Sequence, residues 1–119
     1  MAATSDNTRI LCIGGTSNHP AMNNTIEKIT ISSTGNASDF GDAITGCTYE
    51  HYGGGNRTRG VYGGGGQPFP NNPVNTLEYV TIQSEGNGID FGDLTALGQF
   101  RRGNAGSTTR GLIFGNYGP

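Results

Sequence analysis

The chain has 119 residues, of which 22 are glycine and only 13% are charged. Its net charge is −2 with seven basic residues, which excludes the strongly basic surface of a nucleic-acid-binding protein. No apolar run reaches the length of a transmembrane helix, and residues 1–7 lack the pattern of a signal peptide. We therefore expect neither a nucleic-acid partner nor a membrane partner.

The dominant feature of the sequence is a repeat of about fifty residues. Residues 24–42 (NTIEKITISSTGNASDFGD) and 75–93 (NTLEYVTIQSEGNGIDFGD) are identical at twelve of nineteen positions. A Thr-Arg pair recurs at Arg9, Arg59 and Arg110, and each copy soon runs into a glycine or a glycine run. These spacings predict a single unit over residues 1–119, made of repeat 1 (about 8–57), repeat 2 (about 58–108) and a partial repeat 3 (109–119).

Each repeat is predicted to be β-sheet. Residues 25–31 are mostly β-branched, with Ile26 on one face of the strand and Ile29 and Ile31 on the other. Apolar residues on both faces indicate a sheet that is covered on both sides. In the second repeat we predict strands near residues 59–64, 76–83 and 91–97, and a weak strand before Thr108. Segments rich in glycine, proline and asparagine lie between them as turns.

Taken in order, these features resemble a kelch-type β-propeller repeat. An arginine opens a short apolar strand, a glycine run ends it, and an NTIE or NTLE strand follows a loop. Phe40 and Phe91 stand where kelch repeats usually carry tryptophan, which this chain lacks. The segments TRGVYGGGG, NTLEYVTI and SEGNGIDFGDLT are similar to glycine-rich kelch-like repeats of predicted bacteriophage structural and tail-associated proteins, especially marine ones. The resemblance implies propeller blades, namely two four-stranded repeats plus the first strand of a third.

An incomplete propeller needs further blades, because closed propellers usually have four to eight. Two repeats leave two faces open, so we expect a homo-oligomer in which several chains complete one ring. The resemblance implies a non-enzymatic structural or binding module, located in a virion or in the cytoplasm. Its expected partners are other copies of itself, other virion proteins and host-surface glycans. The alternative is a lectin-like, carbohydrate-binding propeller.

The predicted loops provide the candidate binding residues. Residues 17–22 and 67–73 differ in sequence between the repeats, whereas the strands agree. Aromatic and asparagine side chains on such loops suit carbohydrate or protein surfaces. The candidate binding-loop residues are Tyr49, His51, Tyr52, Phe69, Asn71 and Asn72.

Residues that recur at the same repeat position are expected to be structural. Each repeated arginine should bond backbone carbonyls or an aspartate of the neighbouring repeat. Each DFGD segment is expected to form a turn closed by a buried phenylalanine, with its aspartates in local turn hydrogen bonds. The structural repeat residues are Arg9, Arg59, Arg110, Phe40, Phe91, Asp42 and Asp93.

The sequence gives no catalytic or cofactor-binding constellation. The DFG letters lack the other kinase motifs, and the glycine runs lack the lysine of a phosphate loop. No Cys or His pair has zinc-site spacing, and the paired aspartates do not match a known calcium loop. Cys12 and Cys47 are expected to be free thiols, although a disulfide between them is compatible with the sequence. We predict no enzyme activity, no metal and no cofactor.

Overall fold

The computed structural model describes residues 1–15, 22–47, 52–66, 73–97 and 103–114. In this part of the chain all ten regular elements are β-strands, which confirms the all-β prediction. No helix of these residues is long and apolar enough to cross a membrane.

The strands form two four-stranded antiparallel sheets and one hairpin. Within each sheet every strand pairs with the next along the chain. Sheet 1 contains β1 (Ala2–Ser5), β2 (Arg9–Gly15), β3 (Asn23–Thr30) and β4 (Ser38–Cys47). Sheet 2 contains β5 (Tyr52–Gly55), β6 (Arg59–Gly63), β7 (Thr76–Thr81) and β8 (Ile89–Asp93), and the hairpin contains β9 (Gly103–Gly106) and β10 (Gly111–Phe114).

Sheets 1 and 2 repeat the same register at an offset of 50 or 51 residues. Arg9 pairs with Thr30 in sheet 1, as Arg59 pairs with Thr81 in sheet 2. Both sheets also have a bulge between their last two strands, which leaves Phe40 or Phe91 unpaired. The sequence repeat is therefore a structural repeat as well.

The sheets start one strand earlier than the sequence repeats. The weak strand predicted before Thr108 is β9, and it pairs forward with β10 rather than with sheet 2. The third repeat is thus represented by two strands, and the expectation of a single strand is corrected. The physical reason is a tight turn that joins these two strands in each copy and begins at Asp6, Asn56 or Ser107.

The sheets stack face to face, with their first strands adjacent. β1 lies against β5, and β5 lies against β9, while the last strand of sheet 1 contacts β7 and β8. Small residues permit this approach, since a Cβ on Gly53 would come within 2.6 Å of the Ala3 carbonyl oxygen. Neither sheet closes on itself, and each keeps two distinct faces.

The core lies between sheets 1 and 2. Cross-strand register places Ile13 opposite Ile26, on the face of sheet 1 that meets sheet 2. On sheet 2, the buried residues of this core alternate along β6 and β7. Burial of these side chains provides most of the stabilisation of the stack. The buried apolar residues are Ala2, Leu11, Ile13, Ile26, Phe40, Ala43, Tyr62, Val80 and Ile82.

Candidate interaction surfaces

A buried carboxylate connects the two sheets. Glu78 of β7 is only 2% exposed. Its Oε2 accepts the N–H of Ile44 at 2.9 Å, and its Oε1 accepts the N–H of Thr45 at 2.7 Å. The Tyr62 hydroxyl also donates to Oε2 at 3.0 Å. Three donors thus satisfy a carboxylate that would otherwise be costly to bury, and they fix β7 against β4.

Burial, the charge of Glu78 and the hydrogen bond to Glu78 together raise the pKa of the Tyr62 phenol above its usual 10. The unfolded chain releases this proton above about pH 10, whereas the folded chain keeps it. The unfolded state then binds fewer protons, so the free energy of unfolding falls as pH rises further.

We therefore expect stability to fall steeply above about pH 10, and to fall less steeply in Tyr62→Phe. Urea denaturation of both proteins between pH 9 and 11 measures the two slopes. Equal slopes would contradict the burial of this phenol beside Glu78.

A segment that follows β7 docks onto the bulge of sheet 1. The N–H of Gly86 donates to the Phe40 carbonyl at 2.9 Å, and the N–H of Gly88 donates to the Asp42 carbonyl at 2.8 Å. The Asn87 Oδ1 accepts the Asp42 N–H at 3.0 Å. We call residues 86–88 the docking segment of sheet 2. Phe40, whose carbonyl accepts the first of these bonds, is only 3% exposed.

The tight turns between the first two strands are a repeated device. In the first copy the Asp6 Oδ1 accepts the backbone N–H groups of Thr8 and Arg9, both at 2.6 Å. Asn56 and the Ser107 hydroxyl accept the matching amides in the other two copies. The bonds that Asp6 accepts from the backbone amides, first that of Arg9 and then that of Thr8, lower the pKa of Asp6. Our sequence reasoning missed these residues, although aligning the three Thr-Arg pairs would have revealed them.

The three repeated arginines have different surroundings. The Arg9 Nη1 donates to the Ile82 carbonyl of sheet 2 at 3.1 Å. Arg59 lies instead over the Tyr79 ring, 4.7 Å from its centroid, and Arg110 is exposed. The difference follows from position, because among the described residues no strand equivalent to β7 follows sheet 2.

An apolar cleft of about 520 Å³ separates sheet 2 from the hairpin. Val61, Leu77 and Phe91 line it from sheet 2, and Leu112 lines it from the hairpin. Phe91 is 50% exposed and packs edge-on against Tyr79 at a centroid distance of 6.1 Å. The expectation of a buried phenylalanine therefore does not describe Phe91 in the single chain. Among the residues that the structure describes, no segment bonds the Phe91 backbone as residues 86–88 bond that of Phe40.

Most of the predicted loop residues lie outside the described part of the chain: Tyr49, His51, Phe69, Asn71 and Asn72. Tyr52 begins β5, and Asp93 ends β8, where it pairs with Thr76. Cys12 is a free thiol in β2. In the described ranges no three His, Cys, Asp or Glu side chains form a group that could hold a metal ion.

The described polar groups thus hold sheets and turns together, whereas apolar side chains such as Ile31, Phe91 and Leu112 remain exposed on sheet surfaces. Chemically, such surfaces suit packing against another sheet. Comparisons with protein-family models, with curated proteins and with solved structures found no match to this chain.

Proposed function

We propose that the chain is a non-enzymatic structural and binding module of the β-propeller type, which assembles with further copies of itself. One observation carries this proposal. Consecutive four-stranded meanders stack face to face, with the first strand of each next to the first strand of the following one. Propeller blades are arranged in this way around their central channel.

The number of sheets per chain supports assembly into a ring. One chain supplies two complete sheets, and propellers usually contain four to eight. Three chains would supply six sheets and four chains would supply eight. Closure would cover the faces that a single chain leaves open.

The virion role rests on the resemblance to glycine-rich kelch-like repeats of bacteriophage structural proteins. On this proposal the ring is a rigid frame, and the loops between strands contact other virion proteins or host-surface glycans. The lectin-like alternative requires a glycan ligand. A glycan array probed with the assembled protein distinguishes the two, because specific sugar binding favours the lectin.

A crystal structure of the assembled protein tests the architecture. We expect six or eight sheets around one axis, with β5 and either β1 or its equivalent β9 of every chain innermost. An assembly in which sheets join edge to edge into a continuous sheet would contradict the proposal, since it would leave the sheet faces uncovered.

A further inference from the structure

The interface between sheets 1 and 2 has two different halves. Sheet 1 contributes a receiving face, which includes Leu11, Ile26, Phe40 and Gly41. Sheet 2 contributes an inserting face, which consists of Glu78, Val80, Ile82 and the docking segment (residues 86–88). Each half recurs on the other sheet at the repeat offset, so each chain carries one further copy of both.

The second receiving face lies on sheet 2 and is open at its outer part. It consists of Val61, Leu77, Phe91 and Gly92, the equivalents of the residues on sheet 1. Gly41 and Gly92 share a positive φ, at 149° and 134°. A Cβ on Gly41 would collide with the Gly86 carbonyl of the docking segment, whereas a Cβ on Gly92 would meet nothing within 4 Å. The bulge is thus built in the same way at both places, and within the described ranges only the one at Gly41 holds a docking segment.

The second inserting face lies on sheet 1, on the side away from sheet 2. It consists of Glu27, Ile29, Ile31 and residues 35–37, the equivalent of the docking segment. Glu27 is exposed and Ile31 is 51% exposed, although their equivalents Glu78 and Ile82 are buried. Ile31 and residues 35–37 are therefore the equivalents of Ile82 and the docking segment, which the open receiving face of sheet 2 lacks.

The hairpin covers only the inner part of the open receiving face. β9 and β10 lie against β5, and they are the equivalents of β1 and β2. Nothing in the described chain corresponds to a third and fourth strand beyond them, so the outer part beside β7 and β8 is uncovered. A second copy brings those two strands as its own β3 and β4. The β1–β2 pair of the second copy is equivalent to the hairpin of the first copy. Only one of these two strand pairs can occupy the inner part of the receiving face.

We propose that the inserting face of sheet 1 in one copy docks onto the receiving face of sheet 2 in a second copy, head to tail. This inference rests on the proposed homo-oligomer and specifies its contact. By repeat equivalence, the Gly35 N–H donates to the Phe91 carbonyl of the second copy, and the Asn36 amide oxygen accepts the Asp93 N–H. The contact is heterologous, so it forms a ring where the rotation closes.

The contact between copies is less ionic than the contact within one chain. Lys28 and Glu85 form an ion pair across the internal interface. Their equivalents at the contact between copies are Tyr79 and Thr34, which are uncharged. We therefore expect assembly to be driven by apolar burial, with little dependence on salt.

Two variants that block opposite halves test the proposal. Phe91→Glu places a charge on the receiving face, and Ile31→Glu places one on the inserting face. Both residues are half exposed in the single chain, so neither change should prevent folding, which circular dichroism checks. Met22→Glu is the control, because Met22 is 49% exposed and lies at the other end of β3 from Ile31.

Light scattering after gel filtration gives the mass of each protein. We expect each blocking variant alone to be a single chain of 12.4 kDa. An equimolar mixture at high micromolar concentration should give a two-chain complex, because each partner keeps one intact half. Met22→Glu should keep the wild-type mass.

The remaining outcomes separate this inference from the proposed function. If the wild type is an oligomer and either blocking variant keeps its mass, the ring stands and this contact is wrong. If both variants are single chains that do not combine, the head-to-tail contact is wrong. If the wild type is itself a single chain, the homo-oligomer and the contact both fail.

Discussion

Replacing Glu78 by alanine should lower the free energy of unfolding by about 3 kcal/mol. The change removes the acceptor of the buried Tyr62 hydroxyl and of the partly buried Ile44 and Thr45 amides, and a buried donor left unsatisfied costs about 1–3 kcal/mol. Glu78→Gln should lie between the wild type and Glu78→Ala, because its amide keeps one acceptor oxygen. Urea denaturation at a concentration where the protein is a single chain measures these differences.

The first repeat supplies a matched control at the identical residue. Glu27 occupies the equivalent position in an NTIE segment but is exposed in the single chain. Glu27→Ala should therefore change the free energy of unfolding by no more than about 0.5 kcal/mol under the same conditions. Equal losses in Glu27→Ala and Glu78→Ala would contradict the buried connection between the sheets.

Phe40→Ala should be the second severe change, with a loss of about 3–5 kcal/mol. Phe40 is buried in the core, and its backbone bonds the docking segment (residues 86–88), so alanine would leave a cavity at the interface between the sheets. The same substitution at Phe91, which is half exposed, should cost about 1 kcal/mol or less in the single chain. Thermal and urea denaturation of the two variants give the comparison.

The comparison of the two phenylalanines also tests the order of the stack. A larger loss at Phe91 than at Phe40 would mean that the receiving face of sheet 2, rather than that of sheet 1, is the covered one. The internal interface described above would then be wrong.

The repeat marks the long strands β3 and β7, whereas the DFGD segments, expected to form turns, lie within β4 and β8 at the bulges. The offset that aligns NTIE with NTLE also aligns β3 with β7, and the DFGD segments align the two bulges. The predicted repeat bounds place β9 in the wrong sheet, because they begin at the Thr-Arg pairs and each sheet begins one strand earlier. The conformation of β9 depends on pairing with β10 across the Ser107 turn.

Burial could not be predicted in the same way. Glu27 and Glu78 lie in nearly identical segments, yet one is exposed and the other is buried. In the same way, Phe40 is buried whereas Phe91 is half exposed. What separates the members of each pair is their place in the stack of sheets, which local sequence does not encode.

The solution mass of the wild-type protein decides whether copies of the chain assemble. We expect a discrete multiple of 12.4 kDa by light scattering after gel filtration, with three or four chains per particle. Such a mass would fit a ring of six or eight sheets. A compact single chain at every concentration would contradict the homo-oligomeric ring, because the open faces of sheets 1 and 2 would then have no second copy to cover them.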